Sequence, residues 1–192
     1  AQRGIKIIVI DSDVNSSQVS CRIGTNNLQA GIKAAEAALA TDDEELYIGI
    51  VNYDVNSANG QQRELGFRQT VEQDPRVKNI TTINVLSTTE DARAGAKEML
   101  LSDSRINVVV TFNEWTSLGV GWAIRDLNRA DRIQVVAFDS NVVSVGMLET
   151  GEVDALIVQN PYAMGYLGVE TAANLMNGQT GDPSVVDTAT TI

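Results

Sequence analysis

Acidic and amide residues close one apolar run after another in this chain. IKIIVID ends at Asp11, INVVVTFN at Asn113, RIQVVAFD at Asp139, and VDALIVQN at Gln159 and Asn160. Carboxylates accept hydrogen bonds, and amides both donate and accept them, so these residue types suit the hydroxyl groups of a small polyhydroxylated molecule. Arg63 adds a planar fork that can donate to two neighbouring hydroxyls. It falls in the first turns of a predicted helix, whereas the helix dipole favours cations at the opposite end. That placement predicts that Arg63 points at a ligand; pairing with Glu64 or Asp54 is the alternative. Trp115, two residues past Asn113, is a candidate to stack on the apolar face of a sugar ring, with Tyr53 a weaker one.

The elements that must hold these residues are legible as an alternation. Strands are predicted over 5–10, 46–52, 80–86, 106–112, 133–138 and 153–158, mostly short runs of Val and Ile as in strands buried on both faces. VSCRIG, around Cys21, is a further strand-like stretch. Helical spacing runs through 28–39, 61–72, 90–101, 117–127, 143–148 and 162–176. Strand followed by helix, repeated, is the signature of an α/β fold with a doubly wound parallel sheet. In such sheets the carboxyl ends of the strands open onto a crevice where ligands bind. The strand-end residues are therefore predicted to share a site.

Composition narrows the chemistry. The 192 residues carry a net charge of −11 with no basic cluster, which disfavours nucleic acid and anionic membranes as partners. There is no histidine, so a histidine-containing catalytic triad is excluded. One cysteine, Cys21, allows no intrachain disulfide and reads as a small core residue. No phosphate-cradling glycine loop is present, and neither a cofactor nor a metal is expected for the binding reading. No apolar run reaches the roughly 18 residues needed to span a bilayer. One enzymatic alternative stands in IIVIDSDV. It is similar to the nucleophile motif of haloacid-dehalogenase phosphotransferases, with Asp11 as nucleophile, Asp13 as acid–base and Mg²⁺ as cofactor.

Six segments in order resemble one family, the type I periplasmic sugar-binding proteins, the ribose- and galactose-binding-protein-like solute receptors of ABC transporters. These are GIKIIVIDSDV, RIGTNNLQAG, SANGQQRELGF, VVVTFNEWTSLG, VVAFDS and ALIVQNPYAMG. The resemblance implies sugar contacts from Asp11, Arg63, Asn113, Asp139 and Gln159, to which Trp115 is added as a stacking candidate. It implies hinge segments at Thr25, Asn26 and Asn160, two-lobe architecture, and no catalysis. Asp11-Ser12 stands where some ribose binders have Asp-Arg, so that Arg contact is absent.

The same resemblance implies that the first lobe is incomplete. Residues 1–25 would be its remnant, 26–159 the second lobe, 160–181 the return to the first, and 182–192 a crossover back. The implied partners are a small-molecule sugar, ABC permease membrane subunits and an N-terminal companion segment. The implied location is periplasmic, or extracellular as a membrane-anchored lipoprotein. The alternatives that share this fold are the sugar-sensing domain of a lactose-repressor-type regulator and a sensory receptor.

Overall fold

The computed structural model describes residues 4–178, 185–188 and 190–192, with Val185 described in its backbone alone. The chain divides into two units, Ala1–Asn26 with Gln159–Thr191, and Asn27–Val158. The predicted crossover over 182–192 falls partly on residues 182–184 and 189, which lie outside the described residues.

The larger unit is built on a five-stranded parallel sheet. Its strands are β3 (Leu46–Asn52), β4 (Val77–Asn84), β5 (Val108–Thr111), β6 (Gln134–Phe138) and β7 (Ala155–Ile157), in the order β4-β3-β5-β6-β7. Helices α1 (Asn27–Leu39) and α2 (Ala58–Val71) cover one face; α3 (Thr89–Ser102), α4 (Glu114–Leu127) and α5 (Val142–Thr150) cover the other. Alternation along the strands sorts the core. Ile48, Ile50, Val108, Val110, Val136 and Phe138 meet α1 and α2, whereas Val51, Val109, Val135 and Ala137 meet α3, α4 and α5. Both faces are buried, which is why the strands read as unbroken apolar runs.

The order reverses between β3 and β5, because β3 pairs with β4 on one side and β5 on the other. This is the topological switch point of a doubly wound sheet, where the strand ends leave room for a ligand.

The α1–α2 contact is closer than side chains permit. A Cβ on Gly31 would lie 2.0 Å from the Arg63 carbonyl oxygen, and one on Gly66 would lie 2.1 Å from that of Leu28. Both obstacles are backbone, so the helices must separate to admit a methyl group. Gly31→Ala is expected to cost about 1–3 kcal/mol in urea denaturation. Gly146→Ala, on α5 with open space around it, is expected to stabilise by about 0.5–1 kcal/mol through helix propensity alone. Equal effects in both variants would refute the close-approach reading.

At the opposite end of the sheet from the switch point, Asp154 accepts from the Val135 N–H at 2.7 Å. Partial desolvation pushes the carboxyl of this otherwise exposed residue above the ordinary carboxylate range, against that backbone bond, and solvent screening keeps the effect on stability small. A raised folded-state pKa means stability is full below the unfolded value and falls as pH rises through the folded one. Asp154→Asn keeps an acceptor and removes the charge. It is expected to raise the melting temperature at pH 7 and leave it unchanged at pH 3.

The smaller unit holds a three-stranded parallel sheet, β1 (Ile8–Ile10), β2 (Cys21–Gly24) and β8 (Val185–Asp187), in that order. Helix α6 (Pro161–Met176) covers one face, where Met164 and Leu167 meet Ile8, Cys21, Ile23 and Val186. β1 is shorter than the predicted 5–10 run. Its ladder with β2 starts at Ile8, beyond the single Ser20 N–H to Ile7 carbonyl bond. Cys21 is buried in this core, as expected of a small apolar residue.

Candidate functional site

In the larger unit the strand ends at the switch point carry a continuous set of polar groups. Asp139 follows β6 and Asn113 follows β5. The Asp139 backbone N–H is fixed by the Ile157 carbonyl at 3.0 Å, and its Oδ2 accepts from the Glu114 N–H at 3.2 Å. Glu114 opens α4, so the positive end of that helix faces the Asp139 carboxylate and favours its charge.

Asn113 is the N-cap of α4 in a reciprocal capping box with Thr116. Its amide nitrogen donates to Ser87 Oγ at 2.7 Å. α4 therefore begins three residues before the predicted start at Ser117. Asn141 caps α5 in the same manner and donates to Glu114 Oε1 at 2.5 Å. The amino ends of two helices thus meet across Asp139, Glu114 and Asn141. Sequence reasoning passed over Asn141, for which Asn-x-x-Ser ahead of an apolar run was the available signal.

Arg63 lies on α2 and is 2% exposed. Its Nε donates to Asn27 Oδ1 at 2.8 Å, and its Nη1 to the Phe112 carbonyl at 2.6 Å. The guanidinium stands 4.9 Å from the Phe138 ring centroid. Phe112 in turn meets Phe67 and Phe138 edge-on, at 6.1 and 5.8 Å. Arg63 thus fastens α1 and α2 to the segments that carry Asn113 and Asp139. Glu64, its predicted alternative partner, pairs with Arg68 at 2.8 Å. Trp115 is 49% exposed on the first turn of α4, whereas Tyr53 is buried in the core and is not a stacking surface.

In the smaller unit, Asp11 closes β1 with its N–H on the Ile23 carbonyl at 2.9 Å. Thr25 Oγ1 donates to Gln159 Oε1 at 2.7 Å, the Asn26 N–H donates to Asp187 Oδ1 at 3.1 Å, and Asn160 is the N-cap of α6. Asp13 is paired with Arg22 at 2.7 Å. Among the described residues no group of three or more His, Cys, Asp or Glu side chains could hold a metal ion.

Asp11 and Asp139 share a backbone feature. Their φ values are 64° and 65°, in the left-handed region that L-residues avoid. The third non-glycine residue of this kind among those described, Asn128, is simply the C-cap of α4. Two strained aspartates, each at the carboxyl end of a parallel strand, point to function, because strain of this sort persists where geometry is selected.

The match to known families agrees. Residues 1–180 fit the model of the periplasmic binding protein domain. The chain belongs to this family. It is 28% identical over 133 residues to a D-ribose/D-allose-binding protein of Pseudomonas aeruginosa, covering 69% of this chain and 41% of that protein. It is 24% identical over 185 residues to a ribose import binding protein of Haemophilus influenzae, covering 93% of this chain and 60% of that one. Among solved structures, a periplasmic component of an ABC-type sugar transport system from Hahella chejuensis superposes with TM-score 0.94 at 30% identity, over 99% of this chain and 70% of that one. A carbohydrate transporter solute-binding protein from Agrobacterium radiobacter, in complex with D-arabinose, gives 0.93 at 28%, over 98% and 66%. The chain thus spans less than two thirds of these curated relatives' length. The fold is the doubly wound, parallel α/β arrangement of this family, and its relatives are binding proteins rather than enzymes. The phosphotransferase reading of Asp11 and Asp13 is set aside on that ground.

Proposed function

We propose that this chain is the sugar-binding part of an extracytoplasmic receptor that delivers a monosaccharide or related polyol to an ABC permease. The observation that carries the proposal is the pair of left-handed, strand-terminal aspartates, Asp11 and Asp139. Each sets a carboxylate at a strand end at a conformational cost that packing alone does not require. In this reading Asp11, Arg63, Asn113, Asp139 and Gln159 hydrogen-bond the ring hydroxyls and Trp115 covers the apolar ring face. Thr25, Asn26 and Asn160 are the hinge positions, lying beside the points where the chain passes from one unit to the other. Closure about such hinges is a common ligand response. The receptor works in the periplasm or as a membrane-anchored lipoprotein, performs no chemistry and needs no cofactor.

Arg63 is included because its guanidinium donates to the Phe112 carbonyl and stands over the Phe138 ring, each the residue before a proposed contact. A site of this kind rejects a sugar that lacks one hydroxyl, since a buried polar group is then left unpaired.

The test is thermal unfolding of this chain, and of any longer product of its gene, with D-ribose, D-allose, D-arabinose, D-fucose and D-tagatose. A sugar present at a hundred times its Kd stabilises the native state by about 2.7 kcal/mol. That is a rise of several degrees for a protein of this size. No shift with any of these sugars in either polypeptide would overturn the proposal.

A further inference from the structure

Ser117 stands in the first turn of α4 and is 1% exposed. Asn113 already caps that helix with Thr116, so the cap makes no call on it. The Phe138 N–H donates to Ser117 Oγ at 2.9 Å, and Thr111 Oγ1 lies 2.7 Å from the same atom. Ser117 Oγ also lies 2.7 Å from the Asn113 carbonyl oxygen and 2.9 Å from that of Phe138. A serine hydroxyl has one proton and two lone pairs. With the Phe138 N–H and the Thr111 O–H as donors the lone pairs are filled, and the proton goes to one of the two carbonyls at a time. Thr111 and Phe138 are shut off from bulk solvent, which raises the cost of losing these bonds.

The place of this hydroxyl in the sheet gives it a second role. The β5–β6 ladder runs from Val108–Gln134 to Val110–Val136. Past that last pair the two chains lead to Asn113 and Asp139, and Ser117 bonds the end of each. It holds the Asn113 carbonyl on the β5 side, and the N–H and carbonyl of Phe138 on the β6 side. Phe138 immediately precedes Asp139, and its ring lies 4.9 Å from the Arg63 guanidinium. One buried hydroxyl is thus bonded to the backbone of one proposed sugar contact, to the residue before a second, and through that residue's ring to a third.

We propose that Ser117 is a positioning residue that sets the spacing of Asn113 and Asp139, and through it the choice among sugars. The inference rests on the receptor reading and deepens it by naming what holds that half of the site. Sugars differ in the direction of single hydroxyls, so telling them apart requires polar contacts held to within about 0.5 Å. Itself shut off from solvent, Ser117 acts through the residues it holds. Ser117→Ala unties the end of β6 from the start of α4. The Phe138 N–H is then buried without this partner, and Phe138 shifts to find another, taking Asp139 with it.

The experiment titrates the parent, Ser117→Ala, Asp139→Gly and the double variant with D-ribose, D-allose, D-arabinose, D-fucose and D-tagatose by calorimetry. The temperature is one at which melting curves show every variant folded. Ile124→Val, a buried change farther along α4, controls for lost stability alone. Ser117→Ala is expected to lower affinity for the preferred sugar at least tenfold and for the weakest measurable one less than threefold, so the spread narrows. In the Asp139→Gly background the same change is expected to cost less than threefold, because the contact it positions is gone. Ile124→Val is expected to keep the parent's affinities. An equal loss for every sugar, an unchanged spread, or an undiminished loss in Asp139→Gly would overturn the proposal, as would Ile124→Val matching Ser117→Ala. If one sugar alone binds, the Asp139→Gly comparison decides. Should Ser117→Ala not fold, Ser117→Cys takes its place in every arm, since a thiol fills the space but is a weak donor and acceptor. A parent that binds none of the five sugars sinks the receptor reading and this inference together. A parent that binds them, with Ser117→Ala binding alike, sinks this inference alone.

Discussion

Asp139→Gly is expected to leave the protein about as stable as the parent while lowering its sugar affinity at least tenfold. The left-handed backbone at φ 65° costs an ordinary L-residue about 1–2 kcal/mol, less for aspartate, and is free of that steric cost in glycine, which gives part of it back as lost chain entropy. Against that gain stands the lost bond from the Glu114 N–H, worth about 0.5–1.5 kcal/mol net, more if its charge is counted. The two nearly cancel. The Asp139 N–H to Ile157 carbonyl bond is backbone and survives the change. Binding has no such compensation. A hydrogen bond from a ligand hydroxyl to a carboxylate is worth about 1.5–3 kcal/mol, so affinity should fall by roughly ten- to hundredfold or beyond. Asp139→Asn separates the contributions. Asparagine tolerates the left-handed region and still accepts from Glu114, so it should keep stability and lose about tenfold in affinity through the missing charge. Urea midpoints and sugar titrations of the three proteins decide the matter. Full affinity in Asp139→Gly would remove Asp139 from the site. A loss of more than about 2 kcal/mol in its stability would mean that the aspartate is there for the fold.

The parts of this molecule that were legible in its sequence are those governed by periodicity. The run 46–52 and the helices near 28–39 and 162–176 stand within a residue of their predicted bounds, because a strand buried on both faces and a helix with a small-residue face each leave an unmistakable pattern. Boundaries set by side-chain hydrogen bonds were less visible. Asn107 ties off the start of β5 by accepting from the Tyr47 N–H at 2.9 Å, so that strand begins at Val108 rather than at Ile106. Asn113 begins α4 at Glu114 by capping it, a role that its residue type allows but does not announce. The left-handed φ at Asp11 and Asp139 left no trace in the sequence, since a strand-end aspartate reads identically whether its backbone is extended or left-handed. The exposed apolar side of α6, with Tyr162, Tyr166, Val169 and Met176, was present in the sequence as spacing. It was obscured because a second apolar side of the same helix satisfies the usual expectation of a buried face.

Arg63→Ala is expected to be severely destabilising, for reasons unlike those at Asp139. The guanidinium is nearly inaccessible to water, and its Nε and Nη1 are bonded to Asn27 and to the Phe112 carbonyl. Truncation strands both acceptors inside the protein and empties the space against the Phe138 ring. Leaving buried partners unsatisfied and opening a cavity together cost about 3–5 kcal/mol. For a chain of this length that is roughly a 10 °C fall in melting temperature. Arg63→Lys retains a charge but not the fork. A single ammonium cannot span Asn27 on α1 and Phe112 beyond β5 in the same geometry, so this variant should lose less stability, about 1–2 kcal/mol. Its binding is the more informative result. A lysine that keeps the protein folded at the assay temperature yet lowers sugar affinity tenfold or more would place the guanidinium in contact with ligand, as the proposed site requires. Unchanged affinity in Arg63→Lys would instead confine Arg63 to fastening two helices beneath the strand ends. The Phe112 carbonyl decides the structural half of the question: an Arg63→Ala protein as stable as the parent would mean that water reaches that oxygen, and that the burial seen around Arg63 does not hold in solution.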